Sequence, residues 1–329
     1  MSVTTDSKAT PLPETTPDQN ASASPSWTIY AWVGTVPLIW GFNFVCLKIV
    51  YEVGFTVPAM LSVRYILMAL ALGLLLLFEK DRSIAREDWK YLIVFALITV
   101  ALYQYLFAKA IELTSAAESA LLISTSPIWV FLISMVMKLE AFDRTRMIGV
   151  LVGFVGVGMV ILGSGASPTV PETHHIGNLV MIASAILWAA YAIFSKPLLA
   201  KYSPMKIVAY IHILGAIILI PVGFGQMMEV NWATLGVVPW LSLLQYSVLA
   251  GVYGFIMWYR GVQKIGASQT MLFQYFVPPV ALIASYLILK EIPTVLQVIG
   301  IVITLGGVHL ARQRSNGPSA PAQAAKQSS

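Results

Sequence analysis

Ten long apolar runs, separated by short polar segments, constrain this chain more than any other feature of its sequence. A helix rises about 1.5 Å per residue, so roughly 20 apolar residues are enough to cross a bilayer. Hydrophobic residues make up 58% of the 329 residues and charged residues only 11%, whereas soluble domains are about a quarter charged. The sequence therefore predicts an all-α integral membrane protein with ten transmembrane helices, at 29–49, 57–78, 89–110, 116–137, 146–163, 178–197, 205–224, 237–259, 268–289 and 294–311.

The basic residues predict the orientation of these spans. With the N-terminus in the cytoplasm, 16 Lys and Arg residues lie inside, Lys48, Lys109 and Lys290 lie outside, and Arg64 lies within a span. Cytoplasmic loops of membrane proteins carry an excess of Lys and Arg. Both termini are therefore expected in the cytoplasm, and the expected location is a cell membrane, as in the inner membrane of a bacterium.

The two ends of the chain differ from the apolar middle. Residues 1–26 are rich in Ser, Thr, Pro, Ala and Asp, and residues 315–329 have a similar composition. Such segments lack the apolar residues needed for a folded core, and the first lacks the layout of a signal peptide. Both are predicted to be disordered tails without chemistry of their own.

The chain also repeats itself at a shift of about 150 residues. Trp40 precedes Lys48 by eight residues in the first span, and Trp188 precedes Lys196 by eight in the sixth. Pro127 precedes Glu140 by thirteen residues, and Pro278 precedes Glu291 by thirteen. Two five-helix halves, 29–163 and 177–312, are therefore predicted. Because five is odd, the second half enters the membrane from the opposite side, and transporters use such inverted repeats to expose one site to either side in turn.

These motifs resemble those of the drug/metabolite transporter superfamily, and the EamA-type branch with ten helices in particular. The resemblance covers about residues 30–312. It implies a central cavity lined mainly by the first, third, fourth, sixth, eighth and ninth helices. It also implies export of amino acids or related metabolites without an ATP-binding domain, and the chain indeed has no GxxxxGK[ST] motif.

Polar and aromatic residues in the middle of spans are the candidates for substrate binding, because burying such groups in lipid without partners is unfavourable. An uncharged, aromatic cavity of this kind would suit apolar amino acids better than phosphates. The predicted substrate-binding residues are Trp40, Asn43, Tyr103, Gln104, Trp188, Tyr191, Tyr253 and Gln274.

Arg64 is the one basic residue well inside a span, roughly 10 Å from the predicted outer face. Glu118 enters the fourth helix from the same face, so an ion pair between them is predicted. The pair could be a staple between two helices, or an outer gate or proton-sensitive latch. Alternatively, Arg64 extends alone toward the headgroups.

Other charged and small residues receive structural interpretations. Glu140 and Glu291 precede the fifth and tenth helices, where a positive helix end would stabilise a carboxylate. Gly149, Gly153 and Gly156 predict close helix packing. His174 and His175 are expected in an outer loop without further ligands, so no metal site is predicted. The single cysteine, Cys46, has no disulfide partner.

The predicted function is secondary transport, with export of a small metabolite such as an amino acid by alternating access. Efflux of drugs or other solutes, or uptake, remains an alternative within transport. A membrane-embedded enzyme is the alternative from another class, but the chain has no HExxH or GxSxG motif. A receptor would need larger loops. The expected partners are a small-molecule substrate and the lipid bilayer, with no nucleic acid, no cofactor and no obligate protein partner, which is consistent with a monomer.

Overall fold

The computed structural model describes residues 27–138, 142–164, 173–265, 270 and 273–312. Within these ranges the chain forms ten helical rods, which confirms the predicted fold class. Eight are long and apolar enough to cross a membrane, and α9 and α10 are shorter apolar rods. The rods are α1 (Trp27–Glu52), α2 (Val57–Leu76), α3 (Trp89–Leu113), α4 (Ala116–Val136), α5 (Arg144–Ser164), α6 (Thr173–Lys201), α7 (Pro204–Glu229), α8 (Val237–Ile265), α9 (Gln274–Leu289) and α10 (Val295–Arg312).

The predicted spans agree with these rods to within a few residues at most ends. The largest differences are at α6, which begins at Thr173 rather than residue 178, at α7, which continues to Glu229 rather than residue 224, and at α8, which continues to Ile265 rather than residue 259. The predicted start of the ninth span, residue 268, lies outside the described residues. Polar residues at these ends, such as His174 and Arg260, shortened the predicted spans although the helices continue through them. Glu140 and both predicted tails lie outside the described residues.

Prolines interrupt the two rods that correspond in the repeat, α4 and α9. In α4, Ala116–Ile123 and Ser126–Val136 are separate helical segments, and Pro127 lies in the first turn of the second. In α9, a 3-10 turn at Gln274–Phe276 precedes a helix that has Pro278 in its first turn. Proline lacks an N–H and fits only the first turn of a helix without loss of a hydrogen bond. The two prolines therefore begin equivalent half-helices.

A second pair of corresponding rods, α3 and α8, contains π-helical segments. These segments are Leu97–Leu102 and Gln245–Tyr253, again about 150 residues apart. Wider turns of this kind are rare and are frequent at functional sites. They re-aim the side chains that follow, and hydropathy did not predict them.

The two halves meet through corresponding helices, since α2 packs along α7 and α5 along α10. At the α5–α10 contact the backbones touch without side chains between them. A Cβ atom added to Gly149 would lie 2.3 Å from the Ala311 nitrogen, and one added to Gly156 would lie 2.5 Å from the Thr304 nitrogen. The prediction of close helix packing at these glycines is confirmed.

Many large apolar side chains point away from the helix contacts. Leu70 is 68% exposed, Leu162 is 71% exposed and Ile217 is 66% exposed. A soluble protein rarely exposes so much contiguous apolar surface. These faces are therefore the surface that contacts lipid.

Candidate functional site

A cavity lies between the two halves of the protein, with about 510 Å³ of empty space including the part open to solvent. Helices α1, α2, α3, α4, α6, α8 and α9 contribute to its wall. The lining residues are Trp40, Asn43, Phe44, Arg64, Tyr103, Gln104, Phe107, Ile123, Trp188, Ala250, Phe255, Gln274 and Val277.

Six of the eight predicted substrate-binding residues line this central cavity, namely Trp40, Asn43, Tyr103, Gln104, Trp188 and Gln274. The other two do not. Tyr191 lines a smaller cavity, which Trp188, Trp258 and Tyr259 also line. The Tyr253 hydroxyl lies 2.8 Å from Thr35 Oγ1, away from the central cavity. Whether the six residues bind substrate stays a prediction.

Aromatic rings form one continuous wall of the central cavity. The ring centroids of Trp40 and Trp188 are 5.8 Å apart, edge to face, and those of Tyr103 and Trp188 are 5.5 Å apart and stacked. Trp40 Nε1 donates a hydrogen bond of 3.0 Å to the carbonyl oxygen of Ala250, which lies in the π-helical segment of α8. The wall is therefore fixed by contacts between the first and second halves.

Three polar groups of the lining lack hydrogen-bond partners among the described residues. They are Asn43 Oδ1, Gln274 Oε1 and Trp188 Nε1, and each side chain is at most 5% exposed. A buried polar group without a partner is destabilising by roughly 1–3 kcal/mol. A solute or water in the cavity would supply the missing hydrogen bonds, and a binding site needs such groups.

Arg64 also lines the central cavity and is 2% exposed. Its Nη1 donates to Gln104 Oε1 at 2.9 Å, and its Nε lies 3.3 Å from the sulfur of Met68. The guanidinium carbon lies 3.8 Å from the centre of the Tyr246 ring. The expectation of an uncharged cavity is therefore wrong, because hydropathy alone did not show which way this side chain points.

The predicted ion pair between Arg64 and Glu118 is not formed in this structure. Arg64 points into the central cavity, whereas the side chain of Glu118 contacts Asn178 and Gln297 at the end of the molecule where α4 begins. Glu118 does lie in the first turn of α4, as predicted, with its backbone N–H capped by Ser115 Oγ at 3.2 Å. Side chains that enter from the same face can still point in different directions around their helices, and this rotation separates the two.

Glu118 instead joins a buried group of polar side chains, which we call the Glu118 cluster: Thr114, Glu118, His174, Asn178 and Gln297. Glu118 Oε2 lies 2.8 Å from His174 Nε2 and accepts from Asn178 Nδ2 at 2.9 Å. Glu118 Oε1 accepts from Gln297 Nε2 at 2.5 Å. Each member is at most 9% exposed. The cluster therefore connects α4 of the first half to α6 and α10 of the second.

Sequence reasoning missed this cluster for one main reason. His174 lies in the first turn of α6 rather than in a loop, so it shares a helix face with Asn178 four residues later. The prediction that His174 has no further partners is wrong. The pattern of His and Asn at this spacing, followed by an apolar run, was the signal that could have extended the predicted helix.

A larger cavity, with about 890 Å³ of empty space including open solvent, adjoins the Glu118 cluster. Glu291 lies at its edge, accepting from Ser285 Oγ and, at 3.4 Å, from the backbone N–H of Ala116. Ala116 is the first residue of α4. Glu291 therefore contacts the start of α4 rather than that of α10, the helix end predicted for it.

The opposite end of the molecule carries a different set of contacts, which we call the loop clasp. It joins the α2–α3 segment to the junction of α6 and α7. Lys206 Nζ donates to Asp81 Oδ2 at 2.8 Å, and Lys201 Nζ donates to Asp88 Oδ1 at 2.9 Å. The hydroxyl of Tyr202 donates to Asp88 Oδ2 at 2.6 Å. Hydrogen bonds from Lys206 to Asp81 and from Tyr202 to Asp88 lower the pKa of both carboxyls.

Among the residues that the structure describes, no group of three or more His, Cys, Asp or Glu side chains is arranged to hold a metal ion. Glu118 and His174 form the closest approach of an acid to a histidine, but their other neighbours are amides and a hydroxyl. The chemistry of the site is therefore that of hydrogen bonding, charge and aromatic contact.

Comparison with known proteins identifies the family. The model of the EamA-like transporter family matches twice, at residues 27–162 and 175–312. An uncharacterized transporter of Archaeoglobus fulgidus is 30% identical, covering 85% of this chain and 95% of its own length. The uncharacterized transporter YetK of Bacillus subtilis is 26% identical, covering 88% of both chains.

One relative has a named substrate class. A probable terminal-alkyne amino-acid exporter of Streptantibioticus cattleyicolor is 26% identical, covering 61% of this chain and 66% of its own. A solved crystal structure shares the fold, with a TM-score of 0.60 and 18% identity over 88% of this chain and 97% of its own. The family and the relatives named above are transporters rather than enzymes. The chain belongs to the EamA-like transporter family of multi-pass membrane proteins.

Proposed function

We propose that the protein exports a small amphipathic metabolite of the amino-acid type, by alternating access between its two halves. The observation that carries this proposal is the central cavity, whose wall combines aromatic rings with unpartnered amide groups from both halves. Aromatic rings favour an apolar body, and the amide groups favour a polar head. The name of the Streptantibioticus relative, an amino-acid exporter, supports the same class.

The two ends of the molecule supply the contacts that alternating access requires. The Glu118 cluster and the loop clasp each join the first half to the second, at opposite ends of the helices. Opening one while the other stays closed would expose the central cavity to one side at a time. Each set of contacts is then a gate.

The proposed setting is a bacterial inner membrane with both termini in the cytoplasm, which places the loop clasp inside and the Glu118 cluster outside. The 16-to-3 distribution of basic residues supports this orientation. A reporter that is active only in the cytoplasm should therefore work when fused after Ser329. Activity of a reporter that works only outside the cytoplasm would reverse the assignment of every loop.

Counterflow in proteoliposomes tests the transport function. Vesicles loaded with unlabelled amino acids, one at a time, should accumulate the same labelled amino acid when the protein is present. Trp188→Ala and Asn43→Ala should lower the initial rate about tenfold, because they remove a ring and a polar group from the cavity wall. Trp27→Ala is the control, since Trp27 is 77% exposed at the start of α1.

Two results would contradict the proposal. One is the absence of counterflow for every amino acid tested with folded protein. The other is unchanged transport in single alanine variants of all the predicted residues that line the cavity, which would place the substrate elsewhere.

A further inference from the structure

We propose that Arg64 binds a carboxylate group of the transported solute, so that the carrier selects monocarboxylates with an apolar body. This inference rests on the proposed transport function and adds the chemistry of the substrate. Nothing in the family match or in the names of the relatives assigns a role to this residue.

The first argument is charge. An arginine side chain stays protonated in proteins, and Arg64 is 2% exposed. Within the described part of the chain, no carboxylate lies within ion-pair distance of it, whereas the equally buried Lys206 is paired with Asp81 at 2.8 Å. A buried charge without a counterion is strongly unfavourable, so an anion that enters the cavity gains a large electrostatic attraction.

The second argument is the way the guanidinium group is held. Gln104 accepts from Nη1 at 2.9 Å, Met68 lies 3.3 Å from Nε, and the Tyr246 ring lies 3.8 Å from the central carbon. These neutral contacts fix the position of the group without neutralising it. A planar guanidinium matches the two oxygens of a carboxylate, which makes arginine well suited to this anion.

The third argument is the remainder of the central cavity. Asn43 Oδ1 and Gln274 Oε1 are acceptors without partners, and they could receive the N–H groups of an ammonium. Trp40 and Trp188 offer ring faces to the apolar part of a solute. An α-amino acid with an apolar side chain satisfies all three requirements while adding no net charge.

The same features argue against other anions. A phosphate monoester carries nearly two negative charges at neutral pH, and Arg64 is the only cationic side chain that lines the central cavity among the described residues. The excess negative charge would then lie against the negative faces of the aromatic rings, whereas the ammonium of an amino acid would donate to Asn43 Oδ1 and Gln274 Oε1. A purely structural role for Arg64 explains its contact with Gln104. It does not explain why the other two amides of the lining, Asn43 and Gln274, have oxygens without a partner among the described residues.

A matched set of three ligands tests the inference on purified protein in detergent. The probes are L-phenylalanine, L-phenylalaninamide, which lacks the carboxylate, and 3-phenylpropionate, which lacks the ammonium. Quenching of tryptophan fluorescence reports binding, because Trp40 and Trp188 line the cavity. The wild-type protein should bind phenylalanine and 3-phenylpropionate roughly tenfold or more tightly than the amide, as expected for a hydrogen bond between charged groups.

Variants show whether Arg64 is responsible for this preference. Arg64→Gln should abolish it by weakening the acids and leaving the amide unchanged, and Arg64→Lys should retain part of it. Arg260→Gln is the matched control, because Arg260 is an exposed arginine near the C-terminal end of α8 and does not line the central cavity. Size-exclusion profiles identify any variant that has not folded, and the comparison of ligands on wild-type protein needs no variant.

Three outcomes would overturn the carboxylate assignment. They are equal binding of acid and amide by the wild type, a tenfold preference for the acid that persists in Arg64→Gln, and unchanged amino-acid counterflow in Arg64→Gln. None of these would remove the transport function, because counterflow in the wild type would remain. Loss of counterflow in the wild type is the separate result that would end the proposed function.

Discussion

The Glu118 cluster and the loop clasp both join the two halves of the protein, but they are built in opposite ways. The Glu118 cluster is buried, and one carboxylate accepts hydrogen bonds from α6, from α10 and from Thr114 in the turn between α3 and α4. In the loop clasp, Asp81 is 72% exposed and water can replace its partner. Buried polar networks weaken sharply when one member is lost, whereas exposed ion pairs contribute little. The comparison therefore predicts unequal gates, with the Glu118 cluster the harder one to open.

The largest effect is expected for Glu118→Gln. The amide nitrogen would replace one of the two carboxylate oxygens and would face either the Asn178 Nδ2 donor or the Gln297 Nε2 donor, so at least one buried contact becomes repulsive. We expect the free energy of unfolding in detergent to fall by about 2 kcal/mol. The matched control is Glu112→Gln, which removes a half-exposed partner of Lys109 on the preceding helix and should change stability by less than about 1 kcal/mol. Equal losses would mean that burial does not distinguish the two carboxylates.

An intermediate effect is expected for the coupling between Glu118 and His174. A double-mutant cycle with alanine at both positions should give a coupling energy of about 1 kcal/mol, because their side chains are 2.8 Å apart. The same cycle for Glu118 and Arg64 should be additive within about 0.5 kcal/mol, since they share no partner in this structure. Coupling between Glu118 and Arg64 would show that they meet in another conformation, as the sequence first suggested.

The smallest effect is expected at the loop clasp. Lys206→Met should leave the unfolding transition nearly unchanged but speed hydrogen exchange in segment 77–88, because the hydrogen bonds to Asp81 and to the Ser83 carbonyl are lost. Lys80→Met, an exposed lysine in the same segment, is the control. A loss of stability as large as that of Glu118→Gln would contradict the proposed difference between the gates.

The response of the clasp to pH follows from the lowered pKa of Asp81 and Asp88. A carboxyl whose pKa is lower in the folded protein stabilises it above the ordinary aspartate range and loses this contribution as pH falls through the folded value. The clasp should therefore be insensitive to pH between 5 and 8 and should weaken only in stronger acid. The same exchange measurement, repeated across this range, checks the sign.

Much of the fold could be predicted from the sequence because the bilayer imposes a simple length rule on apolar runs. The depth of a residue follows from its position along a span, so Trp40, Asn43 and Gln104 could be placed at mid-membrane before their surroundings were known. The direction of a side chain around its helix does not follow from depth. Arg64 and Glu118 were therefore paired by depth, although one points to the central cavity and the other to His174.

Irregular backbone was the other feature that hydropathy could not supply. The π-helical segments of α3 and α8 carry no proline or other local signal that marks them in the sequence, and the α8 segment accepts a tertiary hydrogen bond from Trp40 at the Ala250 carbonyl. By contrast, the half-helices that begin near Pro127 and Pro278 have a signal in the sequence itself, because proline acts through local covalent geometry. A break caused by a residue's own covalent geometry can be predicted from the sequence alone. A wide helical turn without such a residue cannot.

The close contact of α5 with α10 also limits the paths by which a solute can travel. A Cβ atom added to Gly307 would lie 2.2 Å from the nitrogen of Gly153. The two backbones therefore leave no space for a lipid chain or a solute between them. The contact of α5 with α10 closes this side of the molecule. A lateral path from the bilayer to the central cavity is therefore closed at the contact of α5 with α10.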